Sequence, residues 1–595
     1  MKSLLLCAIF FFSLFGFSQE NIKSVLFDES TNTPLPYATI LLFPSKKYAI
    51  TNSDGTFEIK EKTPIDSIEI SYIGYNTKSF SYSYLKGNKN IFLSPKPYEL
   101  TEVTITSKID KDYLFNILSQ VIKKYRSNDN ILESKSYYSL ISSYENGPLE
   151  HVAAFYNSKL NLSDGVTELL VKSGRFGQNK QFSFYSLNNT DILKDFKLFN
   201  KSRQMLPNYP GNMSFSSIRR NYNLKSEMCN YCDEGDLLVS FKPKKTDDHL
   251  FSGTILFNKS RLVIKKIELT SSNPEISKLS SIVENQKIEF KNINLNILFN
   301  PIDLNKIQHF EFEFKIEYHK NYNTSLITSN GLLYFYDYGS KFTAPYFTEK
   351  INFNNDYDTF IALQSTNQFW ELNNPFPKTE KEKKSIEYFK NHGYLINYDN
   401  KIPKNYIKLI NPSIIEWKQD ERLSWADINQ IEGNEYGKSR QNEVLSRGTL
   451  NVTKVTAHDA PKSKKTLLKF SYVLDAFKNK NNENEFIITT VFDRKSSLYN
   501  NNRTKNKLVY INIMFDIYEY YKQEITNKIT SQTSYDDVKN LCEKQYKEAE
   551  KAIKRLNNDT NLGNDYQNLI GWNSSIKSKL NIDNYNLLKT VKNEK

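Results

Sequence analysis

The chain has 595 residues, of which 39% are hydrophobic, 14% aromatic and 25% charged. At roughly 100–200 residues per domain this gives three or four domains with real cores, which excludes a disordered chain. Nineteen Gly and 18 Pro exclude a collagen-like repeat and four Cys exclude a disulfide scaffold; 80 basic against 67 acidic residues (+13), with no arginine-rich block, give no reason to expect nucleic acid as a partner.

One cation, Lys2, precedes an apolar run from Leu4 to Phe17, and the polar Ser18-Gln19-Glu20 follows. The run is short for a bilayer span and has the flanks of a cleavable signal, so residues 1–18 are expected to direct export. Cys7 does not serve a lipoprotein signal, because the apolar run continues past it. No later segment holds eighteen uninterrupted apolar residues, so no transmembrane helix is expected in the mature chain. The expected location is the periplasm or the outer-membrane or cell surface.

Residues 21–94 carry short β-type runs at Val25–Phe27, Ala38–Phe43, Thr56–Lys60, Ile68–Ile73 and Ile91–Leu93, with Asp54-Gly55 as a tight turn. Leu26, Ile40, Phe57, Ile59, Ile70 and Leu93 supply an inward face. Val25-Leu-Phe-Asp28, Thr33-Pro-Leu-Pro-Tyr-Ala-Thr-Ile40, Thr51-Asn-Ser-Asp-Gly-Thr-Phe57 and Ile70-Ser-Tyr-Ile-Gly-Tyr75 occur in the order found in the carboxypeptidase regulatory-like domain, which this segment resembles. The resemblance implies a prealbumin-like β-sandwich without catalysis of its own, in an exported protein of Bacteroidetes type. Leu100-Thr-Glu-Val-Thr-Ile-Thr106 resembles the tail that joins this module to the plug of TonB-dependent transporters. An amphipathic helix stripe follows instead of a plug: Leu114, Leu118, Val121, Ile122 and Tyr125.

From 131 to 350 the pattern is mostly β. In His309–Tyr318, Phe310, Phe312, Phe314, Ile316 and Tyr318 share one face, and Glu311, Glu313, Lys315 and Glu317 share the other. Gly253–Asn258 and Leu262–Leu269 read as a hairpin. The apolar face of such a sheet either packs on helices or holds a lipid or peptide in a concavity. Cys229 and Cys232 have CxxC spacing without a second pair. A local disulfide, free thiols, and a metal or redox pair all fit the residues. In Lys378–Lys384 the lysines alternate with Glu380 and Glu382, which reads as a solvated surface, or as one attracting acidic glycans or lipid headgroups.

Residues 411–585 read as strands followed by helices. A strand spans Phe486–Phe492, a helix about Leu508–Asn527, and a second helix capped by Ser534 and Asp537 reaches about Leu556. Cys542 lies in its apolar stripe with Val538, Leu541, Tyr546, Ala549 and Ile553, as a buried thiol. Leu423-Ser-Trp-Ala-Asp427, Phe515-Asp516 and the closing Asp559-Thr-Asn-Leu-Gly563 resemble a family of bacterial secreted proteins regarded as zinc peptidases. That family places His-Glu-x-x-His on the helix and a late His before Gly. Here Tyr510 and Met514 stand for the two His, Ile511 for the Glu and Leu562 for the late His. The resemblance therefore implies a peptidase-like domain without its ligands or its general base.

The expected fold class is mixed α+β and multidomain. A signal peptide (1–18) precedes a prealbumin-like β-sandwich (19–95), a linker with an amphipathic helix (96–130), and a β-rich antiparallel middle domain (131–350). A connector (351–410) leads to an α+β domain (411–595) resembling a zincin-like peptidase. No catalytic residue, metal or cofactor is expected. The expected function is a non-catalytic binding or scaffolding protein of the bacterial cell envelope, with a protein, peptide or glycan ligand. The alternatives are an exported hydrolase with an unidentified active site and an outer-membrane-associated assembly or transport component.

Overall fold

A computed structural model describes residues 20–588, apart from 97–110, 181–188, 275–285, 399–412, 430–465 and gaps of one to three residues. The expected signal segment 1–18 and Leu100–Thr106 lie outside the described residues. The chain is a mixed α+β multidomain protein, and no helix among the described residues is long and apolar enough to cross a membrane.

The turn-punctuated N-terminal segment folds into two small sheets. One has the order Thr56–Glu61, Glu20–Asp28, Asn90–Leu93, and the other Tyr48–Ile50, Thr39–Phe43, Ser67–Ser71, Lys78–Ser81. Leu26, Ile40, Phe57, Ile59, Ile70 and Leu93 are buried in the core they share. A short helix, Tyr82–Gly87, follows the last strand of the second sheet, its N-terminus capped by Ser81.

The middle of the chain forms one eleven-stranded antiparallel sheet. Its order is Tyr222–Glu227, Asp236–Pro243, Ser252–Asn258, Val263–Ser272, Gln286–Phe299, Ile307–Lys320, Asn323–Tyr336, Leu132–Tyr144, Gly147–Asn161, Gly165–Asn179, Gly393–Ile396. Period-two alternation sorts its faces: Phe310, Phe312, Phe314, Ile316 and Tyr318 all enter the main core. That core is covered by the helix Lys111–Arg126, through Leu114, Leu118, Val121, Ile122 and Tyr125, and by Phe196, Phe199, Tyr209 and Ile218. Tyr125 accepts a hydrogen bond from Ile264 N at 2.8 Å, and Arg126 donates to the carbonyls of Phe199, Gly211 and Met213. The apolar face is thus packed on a helix and a loop, the first of the two arrangements its sequence allows.

The segment read as a connector with a short helix, 351–410, carries three helices and a strand among its described residues. Helices Asp356–Ala362, Asn367–Asn373 and Glu380–His392 and the strand Gly393–Ile396 are built onto the sheet. The reason is aromatic: Phe360, Phe369, Trp370 and Phe389 are buried, which the surrounding Glu, Lys and Asn residues obscure in the sequence. The boundary at 350 shifts as well, because Tyr346–Phe347 pairs with Phe470–Lys478 as an edge of the next sheet.

That sheet has the order Tyr346–Phe347, Phe470–Lys478, Asn484–Asp493, Ile414–Glu416. It packs on the helix Lys505–Thr526, which is buried at every position from Lys507 to Glu519. A helix apolar around most of its circumference must be enclosed. Helices Tyr535–Asp559 and Tyr566–Leu580 and the last turn Asn584–Leu587 enclose it.

Candidate functional site

Tyr510, Ile511 and Met514 lie on the enclosed helix with 6%, 0% and 8% of their surface exposed. Ile511 sits in the apolar core with Val509, Phe515 and Phe492. The Tyr510 hydroxyl donates to Asn557 Oδ1. The late motif does reach the start of this helix: Lys507 Nζ donates to the Leu562 carbonyl, and a Cβ on Gly563 would lie 2.8 Å from Tyr510 Cβ. The Leu562 side chain, however, is 53% exposed and takes no part in that core. The structure therefore brings the Leu562–Gly563 backbone to Tyr510 without converging the four side chains on one point.

The other motif residues of this domain form a latch. Asp516 Oδ1 accepts from Trp417 Nε1 at 2.8 Å and Arg422 Nη1 at 2.5 Å, and its Oδ2 accepts from Asn584 Nδ2 at 2.6 Å. One turn earlier, Asn512 bonds the backbone of Leu423. Ser424 donates its N–H and hydroxyl to Asp427 Oδ2, closing the 3₁₀ turn Trp425–Asp427. Buried carboxylate and guanidinium groups satisfied in this way hold a loop on a helix.

The richest polar surface lies elsewhere, where the sandwich docks on the outer face of the large sheet. Ile50 joins an apolar cluster with Tyr137, Phe155, Tyr334, Phe369 and Trp370. The Tyr37 ring lies 5.2 Å from the His309 ring, Gln308 donates to Thr39 Oγ1, and Asn52 Nδ2 donates to the Pro377 carbonyl at 3.1 Å. His309 is buried, and burial, then the Lys266 charge, pushes its imidazole down to about 3.

Segment 377–383 runs along this junction with a cleft on each side. The first cleft, about 430 Å³, includes Tyr37, Asn296, Glu311, Glu313, Lys381 and Glu382 and has an acidic balance. The second, about 510 Å³, is lined by six cations and two carboxylates. Both volumes fall in the range of small-molecule sites, roughly 300–1,000 Å³.

Beneath the first cleft, Glu382 Oε1 accepts from Ser139 Oγ at 3.3 Å and lies 3.8 Å from His151 Nε2, while Tyr398 Oη is 3.3 Å from His151 Nδ1. Glu382 also closes the capping box with Thr379. Burial raises its proton affinity, but His151 and the Thr379 bonds outweigh it and hold the carboxyl below its ordinary value. These buried polar contacts tie the start of the helix Glu380–His392 to the sheet. A Cβ on Gly177 would lie 2.4 Å from the Phe389 ring, so a glycine is needed for the helix to sit this close.

In the second cleft, Arg175 donates to Asn367 Oδ1 at 2.6 Å and lies 4.5 Å from the Trp370 ring and 5.5 Å from the Tyr398 ring. Lys378 Nζ lies 5.8 Å from that same Tyr398 ring. Burial, then the Arg175 charge, lowers the proton affinity of Lys378. Sequence reading missed Arg175 and Tyr398, because no local motif marks them. Lys378 falls in the stretch read as a solvated surface or as one attracting acidic glycans or lipid headgroups, and it lines this cleft.

Cys229 and Cys232 are joined by a disulfide. Cys542 is buried, and burial with the nearby Glu543 pushes its thiol up to about 12, so it is not a nucleophile at neutral pH. Among the described residues one group has metal-ligand spacing, Glu289, Glu317 and His319. The Lys291 ammonium already sits 3.3 Å from Glu289 and 2.9 Å from Glu317, neutralising two carboxylates that face each other across the strands.

Residues 22–105 match the family described as CarboxypepD_reg-like domain. The N-terminal sandwich is thus a module of that class. No curated protein matches the chain. The solved structure titled "Crystal structure of MucB in complex with MucA(peri)" is similar over 38% of this chain and 94% of that chain, at 7% identity and a TM-score of 0.12. At that TM-score it carries no argument about this chain.

Proposed function

We propose that the protein is a non-catalytic binding protein of the bacterial cell envelope, exported by its N-terminal segment, of the Bacteroidetes type its first module resembles. Its ligand surface is the junction between the sandwich and the large sheet. In this reading the C-terminal domain is a peptidase-like scaffold in which the helix positions Tyr510, Ile511 and Met514 have become core, while Leu562 lies outside it. One observation carries it: Ile511, where the resembled family keeps its general base, is fully buried in the apolar core. A Met thioether and a neutral Tyr are poor zinc donors, and an isoleucine accepts no proton.

The test is elemental analysis and peptide hydrolysis on the purified full chain, with and without chelator. Substoichiometric zinc, an unchanged melting temperature in chelator and no hydrolysis are expected. Chelator-sensitive hydrolysis of a peptide would overturn the reading.

A further inference from the structure

We infer that the second cleft is a binding site for a phosphate-bearing anion, gripped by Arg175 and Lys378 from the sheet side and by Lys23 from the sandwich. The inference deepens the proposed binding function and rests on it. Six cations, Lys23, Lys47, Lys60, Arg175, Lys378 and Lys383, line the cleft against Glu58 and Glu371 alone. Lys60 is paired with Glu58 and Lys383 with Glu380, at 3.2 and 2.6 Å. The lysines of those pairs are about half exposed, at 47% and 49%. Arg175 is 6% exposed, and Asn367 and the rings of Trp370 and Tyr398 are among the groups that fix it.

A guanidinium with its plane already set by aromatic rings loses little freedom on binding, and its fork matches two oxygens of a phosphate. Lys378 stands over the same Tyr398 ring, so two like charges share one aromatic neighbour. An anion between them relieves that repulsion, whereas a neutral or cationic ligand does not. The acidic cleft across segment 377–383 discriminates in the same direction, since its Glu311, Glu313 and Glu382 repel an anion that strays over the ridge.

Phosphate of this kind reaches an envelope protein either as a free soluble anion or on a lipid headgroup, and two probes separate these sources. Pyrophosphate is titrated calorimetrically into the full chain, and the chain is floated with vesicles of phosphatidylcholine containing phosphatidylglycerol. Saturable pyrophosphate binding that weakens as salt is raised is expected. Lys378→Gln and Lys23→Gln each weaken it about tenfold, the loss of one charge-assisted bond, with the melting temperature as the check that the fold is intact. Lys381→Gln, on the acidic side, leaves it unchanged.

Flotation with the anionic vesicles that pyrophosphate abolishes assigns the site to a headgroup; pyrophosphate binding without flotation assigns it to a soluble anion. Either result supports the site. Absence of saturable binding to both probes overturns it, as does an affinity unaltered by Lys378→Gln and Lys23→Gln together. Peptide hydrolysis, by contrast, would remove the non-catalytic reading and leave the cleft untouched.

Discussion

Asn512 and Leu423 exchange two hydrogen bonds: Asn512 Oδ1 accepts from Leu423 N at 2.8 Å, and Asn512 Nδ2 donates to Leu423 O at 3.0 Å. The amide mimics a strand partner, so a loop segment is read by a helix side chain as though it were a sheet edge. Asn512 also donates to Leu508 O at 2.9 Å. Asn512→Leu keeps the volume and strands the Leu423 N–H and C=O in a closed core. Each unsatisfied group costs about 1–3 kcal/mol, so a loss of about 2–6 kcal/mol is expected. A fall in the calorimetric transition of the C-terminal domain checks it; an unchanged transition would show that the latch is idle.

Lys172 joins the large sheet to the C-terminal domain. Its Nζ pairs with Asp475 and donates to the carbonyls of Ala476 and Thr343 at 2.7 and 2.9 Å, with 1% of the residue exposed. Lys172→Met should cost about 3–5 kcal/mol, because it leaves the Asp475 charge buried without its cation, on the Ala476 N–H bond alone. Adding Asp475→Leu should recover part of that loss, and the double-mutant cycle by urea denaturation measures how much.

The sandwich–sheet junction should loosen in mild acid. His309 is neutral when docked, with its imidazole pushed down to about 3 from an ordinary 6.5. A released His309 binds a proton at pH 5 and a docked one does not, so docking is strongest above about pH 6.5 and weakens as pH falls. At pH 5 the penalty is on the order of 2 kcal/mol. Faster hydrogen exchange at Ile50 and Tyr37 in acid checks this. His309→Phe, which keeps the ring beside Tyr37, should remove the dependence.

Gly55→Val should unfold the sandwich locally. Gly55 has φ +75°, and a Cβ there would lie 2.8 Å from Leu26 O and 2.9 Å from Pro34 Cβ. Left-handed strain on a β-branched residue and the backbone clash together cost more than about 2 kcal/mol. Proteolysis in the 20–96 segment of the variant, with the remainder of the chain intact, is the expected readout.

The Asp54-Gly55 turn was legible from sequence because its physics is local: a tight turn needs a positive φ, and glycine supplies it. The same holds for the Phe310–Tyr318 alternation, for the Leu114–Tyr125 stripe, and for the helix that Ser534 caps, which runs Tyr535–Asp559. The junction was not legible. Lys23, Arg175 and Lys378 meet only because three chain segments pack together, and no periodicity in any one of them marks the meeting. Phe389 was hidden differently, since a single aromatic among Glu, Lys and Asn does not form a stripe. Nor did spacing distinguish Asn512 from ordinary polar residues of a helix, although it is a buried anchor.

The second cleft has one wall on the sandwich and the other on the sheet, and that division has a thermodynamic consequence. A ligand held by Lys23 and Lys378 together binds the docked state and not the undocked one, so it strengthens docking by RT ln(1 + [L]/Kd), about 2.7 kcal/mol at a hundredfold excess over Kd. By reciprocity, whatever loosens the junction lowers the apparent affinity by the fraction undocked. Mild acid acting at His309, outside the cleft, would therefore release an anion that His309 never touches.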